Sequence, residues 1–296
     1  MKKMRKWMLP VLSLCLLLSG CGGKEETPIA TGNTQPETTV VPATEATKVP
    51  EVTITETVLY DANDVKITAT GIETGGHGVD IKLLVENNTQ RNIALSGDNV
   101  VVNGVSMSGW MYIDAAAGKK ANGTLTLDSD SLETAGIDQV AWLESCDARI
   151  VDTDSFDTIG EVSFEIVTSL GRDYVQELDE SGDLLWEEAG VQVIAKVMTD
   201  EYYGKTLMLY VKNQGDKDVY VQAENISVNG FTVDAWMYDF VSAGTVRFCD
   251  LDLWESGLEE NGIEAIEDIT FTLQLIDPHS FATLAKSGEL QVLITE

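Results

Sequence analysis

The stretch VNGVSMSGWMY (Val102–Tyr112) returns 126 positions later as VNGFTVDAWMY (Val228–Tyr238). Extended outward without gaps, the same shift aligns Leu83–Ile137 with Leu209–Ile263 at 18 of 55 positions. The matches fall where backbone shape is decided: Asn87/Asn213, Asn103-Gly104/Asn229-Gly230, Gly118/Gly244 and Gly136-Ile137/Gly262-Ile263. A repeat of this size outranks local signals, because each copy is a unit that folds the same way. The chain is therefore expected to contain two tandem domains, 56–169 and 183–296, joined by an acidic linker at 170–182.

Inside each copy the apolar period is two: Val65, Ile67, Ala69, then Val79, Ile81, Leu83, Val85; and Val191, Val193, Ala195, Val197, then Leu207, Leu209, Val211. That period marks half-buried strands. Asn-Gly between apolar runs predicts a type I′ hairpin, whose two central residues both need positive φ. One short helix per copy is expected at Asp130-Ser131-Leu132-Glu133 and Ser256-Gly257-Leu258-Glu259, which fit a capping box, with Gly136 and Gly262 as left-handed C-terminal caps. The fold class is thus all-β: two antiparallel sandwiches of immunoglobulin type, each with one short helix.

The N-terminus carries Lys2, Lys3, Arg5 and Lys6, an apolar run from Trp7 to Leu18, and then small residues before Cys21. This is the layout of an export signal over residues 1–20, and its apolar run is too short for the roughly 20 residues of a spanning helix. Leu18-Ser19-Gly20-Cys21 resembles the lipobox of bacterial lipoproteins. The resemblance implies a diacylglyceryl group on Cys21 and attachment to the outer face of the cell membrane. Residues 21–55, rich in Thr, Pro and Glu and without an aromatic residue, read as a disordered tether.

A second resemblance covers both domains. Glu86-Asn87-Asn88 and Lys212-Asn213-Gln214, the VNG hairpins, Ala117-Gly118-Lys119 and Ala243-Gly244-Thr245, Leu132–Ile137 and Leu258–Ile263, and Asp152–Phe156 and Asp277–Phe281 are similar to the Ig-like domains of Gram-positive surface lipoproteins. Those motifs specify turns, so the resemblance implies a fold and a location but no activity.

Composition narrows the partners. Net charge is −30 over the whole chain; a signal cleaved after residue 20 would take four of 19 basic residues and none of 49 acidic ones, leaving −34. Phosphate binding needs a basic surface, so nucleic acid is not an expected partner. No cofactor is expected. The expected partners are the membrane, through the lipid on Cys21, and a protein or glycan at the cell surface.

The candidate chemistry is sparse. Asp277, His279 and Ser280 contain triad residue types, but neighbours in one loop seldom converge as a triad must. An envelope-polymer hydrolase using carboxylates such as Asp152 and Asp277 is the enzymatic alternative. Asp152, Asp154 and Asp157 could offer oxygens to calcium, although an EF-hand loop would require Gly and Glu where Asp157 and Ser163 stand. Cys146 and Cys249 are expected to point into the separate cores as free thiols.

The repeated aromatics are the best candidate surface. After the hairpin, Val105, Met107, Gly109 and Met111 share one face, and Ser106, Ser108, Trp110 and Tyr112 the other; copy 2 sets Phe231, Val233, Ala235 and Met237 against Thr232, Asp234, Trp236 and Tyr238. The apolar set belongs to the core, so Trp110, Tyr112, Trp236 and Tyr238 should face outward. A bulge at Gly109 or Ala235 would return them to the core, and cover by a loop or the sister domain would bury them in place. The expectation is a membrane-anchored, non-enzymatic binding or interaction protein, with a structural spacer as the alternative that keeps these rings buried.

Overall fold

The alternating apolar residues become strands whose inward side chains are almost fully excluded from solvent: Val65, Ile67, Ala69, Ile81, Leu83 and Val85 in copy 1, and Val191, Val193, Leu207, Leu209 and Val211 in copy 2. The computed structural model describes residues 51–201 and 204–294; the expected signal (1–20), Cys21 and the tether to residue 50 lie outside the described residues. Copy 1 runs β1 (Thr57–Ala62), β2 (Val65–Gly75), β3 (Gly78–Asn87), β4 (Ile93–Val102), β5 (Val105–Ala115), β6 (Lys120–Asp128), α1 (Ser129–Thr134), β7 (Trp142–Ser145), β8 (Arg149–Asp152), β9 (Thr158–Glu161) and β10 (Glu165–Val167). Copy 2 runs β11 (Asp183–Glu188), β12 (Val191–Glu201), β13 (Gly204–Asn213), β14 (Val219–Val228), β15 (Phe231–Thr232), β16 (Ala235–Trp236), β17 (Tyr238–Val241), β18 (Val246–Trp254), α2 (Glu255–Glu260), β19 (Asp268–Ile276), β20 (Thr283–Lys286) and β21 (Leu290–Leu293).

Each copy is a two-layer sandwich with a core of its own. One layer of copy 1 is β1-β2-β3-β6 and the other is built on β4, which pairs with β5 on one side and β7 and β8 on the other. Copy 2 repeats this with β11-β12-β13-β18 against a layer built on β14 and β19. The architecture is a two-layer β-sandwich, and its strand order departs from the immunoglobulin type expected from the sequence: the first three strands stay in one layer, whereas the immunoglobulin order sends the third across.

Both hairpins have the expected geometry. Asn103 and Gly104 have φ of 51° and 92°, and Asn229 and Gly230 of 51° and 80°. Each Asn also does something turn chemistry did not announce. The Asn103 side chain donates to Gln139 O and accepts from the Ala141 and Trp142 amides, while Asn229 donates to Ala265 O and accepts from Glu267 and Asp268. The hairpin is thereby sewn to the segment leading into the next strand of its layer. Asn87 and Asn213, both buried, act likewise at the opposite end, donating to Ala115 O and Val241 O respectively.

Strand β5 is the corner of copy 1: it pairs with β4 along its length and with β6 at Gly109–Met111, joining the two layers. A Cβ on Gly109 would lie 2.9 Å from a Val100 methyl and 3.2 Å from Leu125, so the crossing is open to glycine alone. Copy 2 has Ala235 at this position, and the equivalent strand is broken into β15, β16 and β17, which split between the layers.

Four expectations are corrected. The helix of copy 1 starts earlier than the capping box implied: Asp128, not Asp130, is the N-cap, accepting from the Asp130 and Ser131 amides at 2.9 and 3.2 Å. In copy 2 the cap position is Trp254, which has no capping side chain. The tether ends before residue 55, since Thr53 exchanges hydrogen bonds with Ser169 and Ile54 packs on the first core. Segment 170–182, the expected linker, makes contacts of its own: Gln176 bonds Asn103 and Gly136 O, Asp179 meets Lys196, Glu180 meets Lys212, and Leu178 packs on core 1. Cys146 is only half-buried, beside Val101, Ala141 and Trp142 rather than in the main core. The reason is one extra residue: β19 is continuous, whereas copy 1 interrupts the same path at 146–148 between β7 and β8, and a one-residue insertion reverses which face follows. Cys249 is buried in core 2 as expected, and both thiols are free.

Candidate functional site between the repeats

The two copies meet along an edge. Val105 at the start of β5 bridges Val246 at the start of β18, in a parallel sense, so one sheet runs continuously from β1 to β11. Ser106 Oγ lies 2.7 Å from Thr245 Oγ1 and accepts from the Ser242 amide at 3.0 Å. Ser106 has outward parity in its strand and is nonetheless buried, because the sister repeat covers it. Beyond this contact β5 bends away to join β6, and a groove of about 620 Å³ opens between the repeats.

The groove is lined by the start of β5, by α1, by side chains of β12, β13 and β18, and by Trp236 and Tyr238. Trp236 is 56% exposed. It is the free end of a line of rings: 6.2 Å to Tyr238, which stacks on Tyr220 at 4.5 Å, which meets Phe240 edge-on at 5.6 Å. The stacked and edge contacts fix the planes of Tyr220, Tyr238 and Phe240, and Trp236 meets the end of that line in a tilted contact with Tyr238. Trp110 and Tyr112 are 63% and 49% exposed on the outer face of β5 and do not line the groove. Their neighbours explain the difference: where copy 2 has Tyr220 and Phe240, copy 1 has Ala94 and Asp114. The outward parity of both tryptophans follows from the period of two, but only the copy 2 pair joins a cavity.

Beside each Trp stands a Thr–Asp pair with its members exchanged. In copy 1, Thr126 donates to Asp80 at 2.7 Å; in copy 2, Thr206 donates to Asp252 at 2.6 Å, where Thr206 aligns with Asp80 and Asp252 with Thr126. The exchange moves a carboxylate onto the strand next to Trp236 and into the groove wall.

The largest divergence between the copies is at the root of the groove. Copy 1 closes its core there with Ile113 packed over Gly123; the residues of copy 2 aligned with Ile113, Ala121 and Gly123 are Asp239, Arg247 and Cys249. Arg247, 11% exposed, pairs with Asp239, 17% exposed, at 2.9 Å, and also donates to Phe240 O and to Ser108 Oγ of copy 1, both at 3.2 Å. Its Nε is buried without a hydrogen-bond partner. Burial pushes the Asp239 carboxyl above the usual carboxylate range, and Arg247 opposes that shift. Sequence reasoning passed over this pair, although a charge pair at two inward positions that are Ile and Ala in the sister copy is a readable signal.

The remaining candidates are turn builders. Asp152 accepts from the Asp154 and Ser155 amides at 2.9 and 3.2 Å, and Asp277 from His279 and Ser280 at 3.0 and 2.8 Å. Those backbone donors hold both carboxyls below the usual range. Asp157 accepts from the Ser155 hydroxyl at 2.9 Å, so its loop, too, uses its carboxylates on itself. Among the described residues no group of three or more His, Cys, Asp or Glu is placed to hold a metal. Each of these loops presents a Phe to solvent at positive φ, Phe156 at 63° and Phe281 at 56°. No known protein-family profile and no curated protein sequence matches the chain.

Proposed function

We propose that this protein is an extracytoplasmic lipoprotein, anchored to the membrane through Cys21, whose two-sandwich unit is a non-enzymatic binding or interaction module. The observation that carries the reading is Trp236, half in solvent at the end of the ring line and part of the lining of an inter-repeat groove. A Trp is among the largest apolar payloads a chain can bury, and rigid exposed aromatics are what interfaces use as anchors. A spacer has no reason to leave it there. The strongly acidic chain repels nucleic acid and favours neutral or cationic partners.

The hydrolase alternative draws no support from Asp152 and Asp277. General-acid work needs a carboxyl with its pKa raised toward neutrality, and each of these is lowered by its own turn.

The test is capture of surface proteins and a glycan screen using the full chain, alongside Trp110→Ala and Trp236→Ala. Loss of the captured ligand with Trp236→Ala is expected. Undiminished capture by both variants together would refute the aromatic site.

A further inference from the structure

We infer that the groove between the repeats takes a neutral glycan of β-linked pyranose residues, with one sugar ring laid on Trp236 and its hydroxyls turned to the carboxylate beside it. This rests on the binding-module reading and assigns it a ligand class.

Strand register places the ring and the carboxylate together. Trp236 of β16 stands directly opposite Asp252 of β18. Cross-strand partners project from the same face with Cβ atoms about 5 Å apart, and both of these side chains line the groove. Trp236 is more than half exposed, so a flat apolar surface is presented next to a charged acceptor. A pyranose with equatorial hydroxyls has the matching surface. Its axial C–H bonds make an apolar face, and its hydroxyls lie around the rim. Stacking puts that face on the negative face of the indole and brings the rim hydroxyls to Asp252.

Hydrogen-bonding capacity selects a polyol. Thr206 donates to one oxygen of Asp252 at 2.6 Å, so the second oxygen stands as an acceptor, as do the lone pairs of the Thr206 hydroxyl. Ser108 Oγ accepts from Arg247 at 3.2 Å, and its own hydrogen is left to donate. Helix α1 adds Asp130 and Ser131 to the lining. Such acceptors suit a ligand whose hydroxyls donate, and a hydrogen bond to a carboxylate is roughly twice as strong as a neutral one. A peptide backbone would bring one carbonyl for each amide and turn carbonyls toward groups that only accept. Anionic sugars are disfavoured by the same carboxylates and by the net charge of −30.

The space is adequate. The groove's 620 Å³ lies within the range of about 300–1,000 Å³ usual for small-molecule sites. A second hollow of about 500 Å³ shares Thr134, Ala135, Met208 and Phe248 with it and continues toward Gly182 and Lys196. The path therefore holds an oligosaccharide rather than a single sugar. Trp110, the same ring in copy 1, stands opposite Thr126 instead of a carboxylate and lines neither hollow, which makes it an internal control.

The experiment is calorimetric titration of the full-length chain with an N-acetylglucosamine oligomer and a cello-oligosaccharide. A zwitterionic detergent is used, because sugar-headed detergents would compete. Binding of at least one is expected, about tenfold weaker or more with Trp236→Ala, as truncation of an aromatic anchor gives. Trp236→Phe keeps a ring and should keep most of the affinity. Asp252→Asn, which keeps an acceptor for Thr206, should weaken binding about tenfold; Trp110→Ala should leave it unchanged, and an oligogalacturonate should not bind. Parent-like affinity in Trp236→Ala, an equal loss with Trp110→Ala, or equally tight binding of the oligogalacturonate would overturn the inference. If neither neutral oligosaccharide binds while a surface protein is captured in a Trp236-dependent way, the glycan inference fails and the binding module stands. Absence of both kinds of binding defeats the two readings together.

Discussion

Removing the guanidinium of Arg247 should damage the fold far more than removing its whole charged neighbourhood. In Arg247→Ala, Asp239 would be left at the root of the groove, 17% exposed, with its counter-ion gone and its carboxyl already pushed upward by burial. Breaking a buried ion pair from one side costs about 3–5 kcal/mol, because the remaining charge is uncompensated. With a urea slope of roughly 2–3 kcal/mol per molar, the unfolding midpoint should fall by about 1–2 M. Copy 1 supplies the control, since it fills the same positions with Ile113, Ala121 and Gly123. The triple variant Asp239→Ile, Arg247→Ala, Cys249→Gly transplants that apolar plug, and replacing a buried pair with packed hydrophobic residues is neutral or stabilising by about 1–4 kcal/mol. Against that stand the lost bonds to Phe240 O and Ser108, at about 1 kcal/mol each. The triple should therefore fall within about 2 kcal/mol of the parent by the same bookkeeping. Urea titration followed by circular dichroism measures all three proteins. A cost below about 1 kcal/mol for the single variant would mean the pair is effectively solvated, and a triple as unstable as the single would mean the two cores do not share a closing geometry.

The other expectations are briefer. Asn103→Ala should cost about 2–3 kcal/mol through the positive φ and the lost bonds to Gln139, Ala141 and Trp142, while Asn103→Gly recovers only the backbone share; thermal melts separate the two. Asp179 is held down to about 2 by Ser181 and Lys196, below the 3.8 of an unperturbed Asp. Its tie to Lys196 should thus be intact above about pH 4 and be lost as pH falls toward 2, seen as rising amide exchange in segment 170–182 between those limits. In the native protein Cys249 should resist a thiol reagent, and Cys146, whose thiol is pushed up to about 12 chiefly by burial, should react slowly at neutral pH; fast labelling of Cys249 would contradict its placement.

What was legible in the sequence was whatever depends on period and on turn chemistry. The repeat, the two cores, the positive φ at both Asn-Gly turns and the outward parity of Trp110 and Trp236 all follow from spacing along one strand. What was not legible depends on where a second strand lies. Ser106 has the same parity as Trp110 and is buried only because Thr245 and Ser242 of the other copy cover it. Cys146 was misplaced by a single inserted residue at an interruption that no turn signal announces. The groove itself arises from β5 bending toward β6 at Gly109, a residue that also had the reading of a parity-reversing bulge. Even so, the aligned copies carry a clue that parity alone does not use, since a position that is Ile in one and Asp in the other has changed its surroundings.

The contact between the repeats is head to tail, and a contact of that kind does not close on itself. Its first half is Val105 and Ser106; the same positions in copy 2 are Phe231 and Thr232, both exposed. Its second half is Ser242, Thr245 and Val246; the same positions in copy 1 are Ala116, Lys119 and Lys120, also exposed. A neighbouring molecule trying to continue the series would have to desolvate two adjacent lysines, one of them already paired with Glu86. Lysines on strand edges are a common guard against unwanted pairing. In this chain they stand on the face equivalent to the one that holds the sister repeat, so Lys119→Thr with Lys120→Val, the residues copy 2 carries there, is the change expected to favour further association.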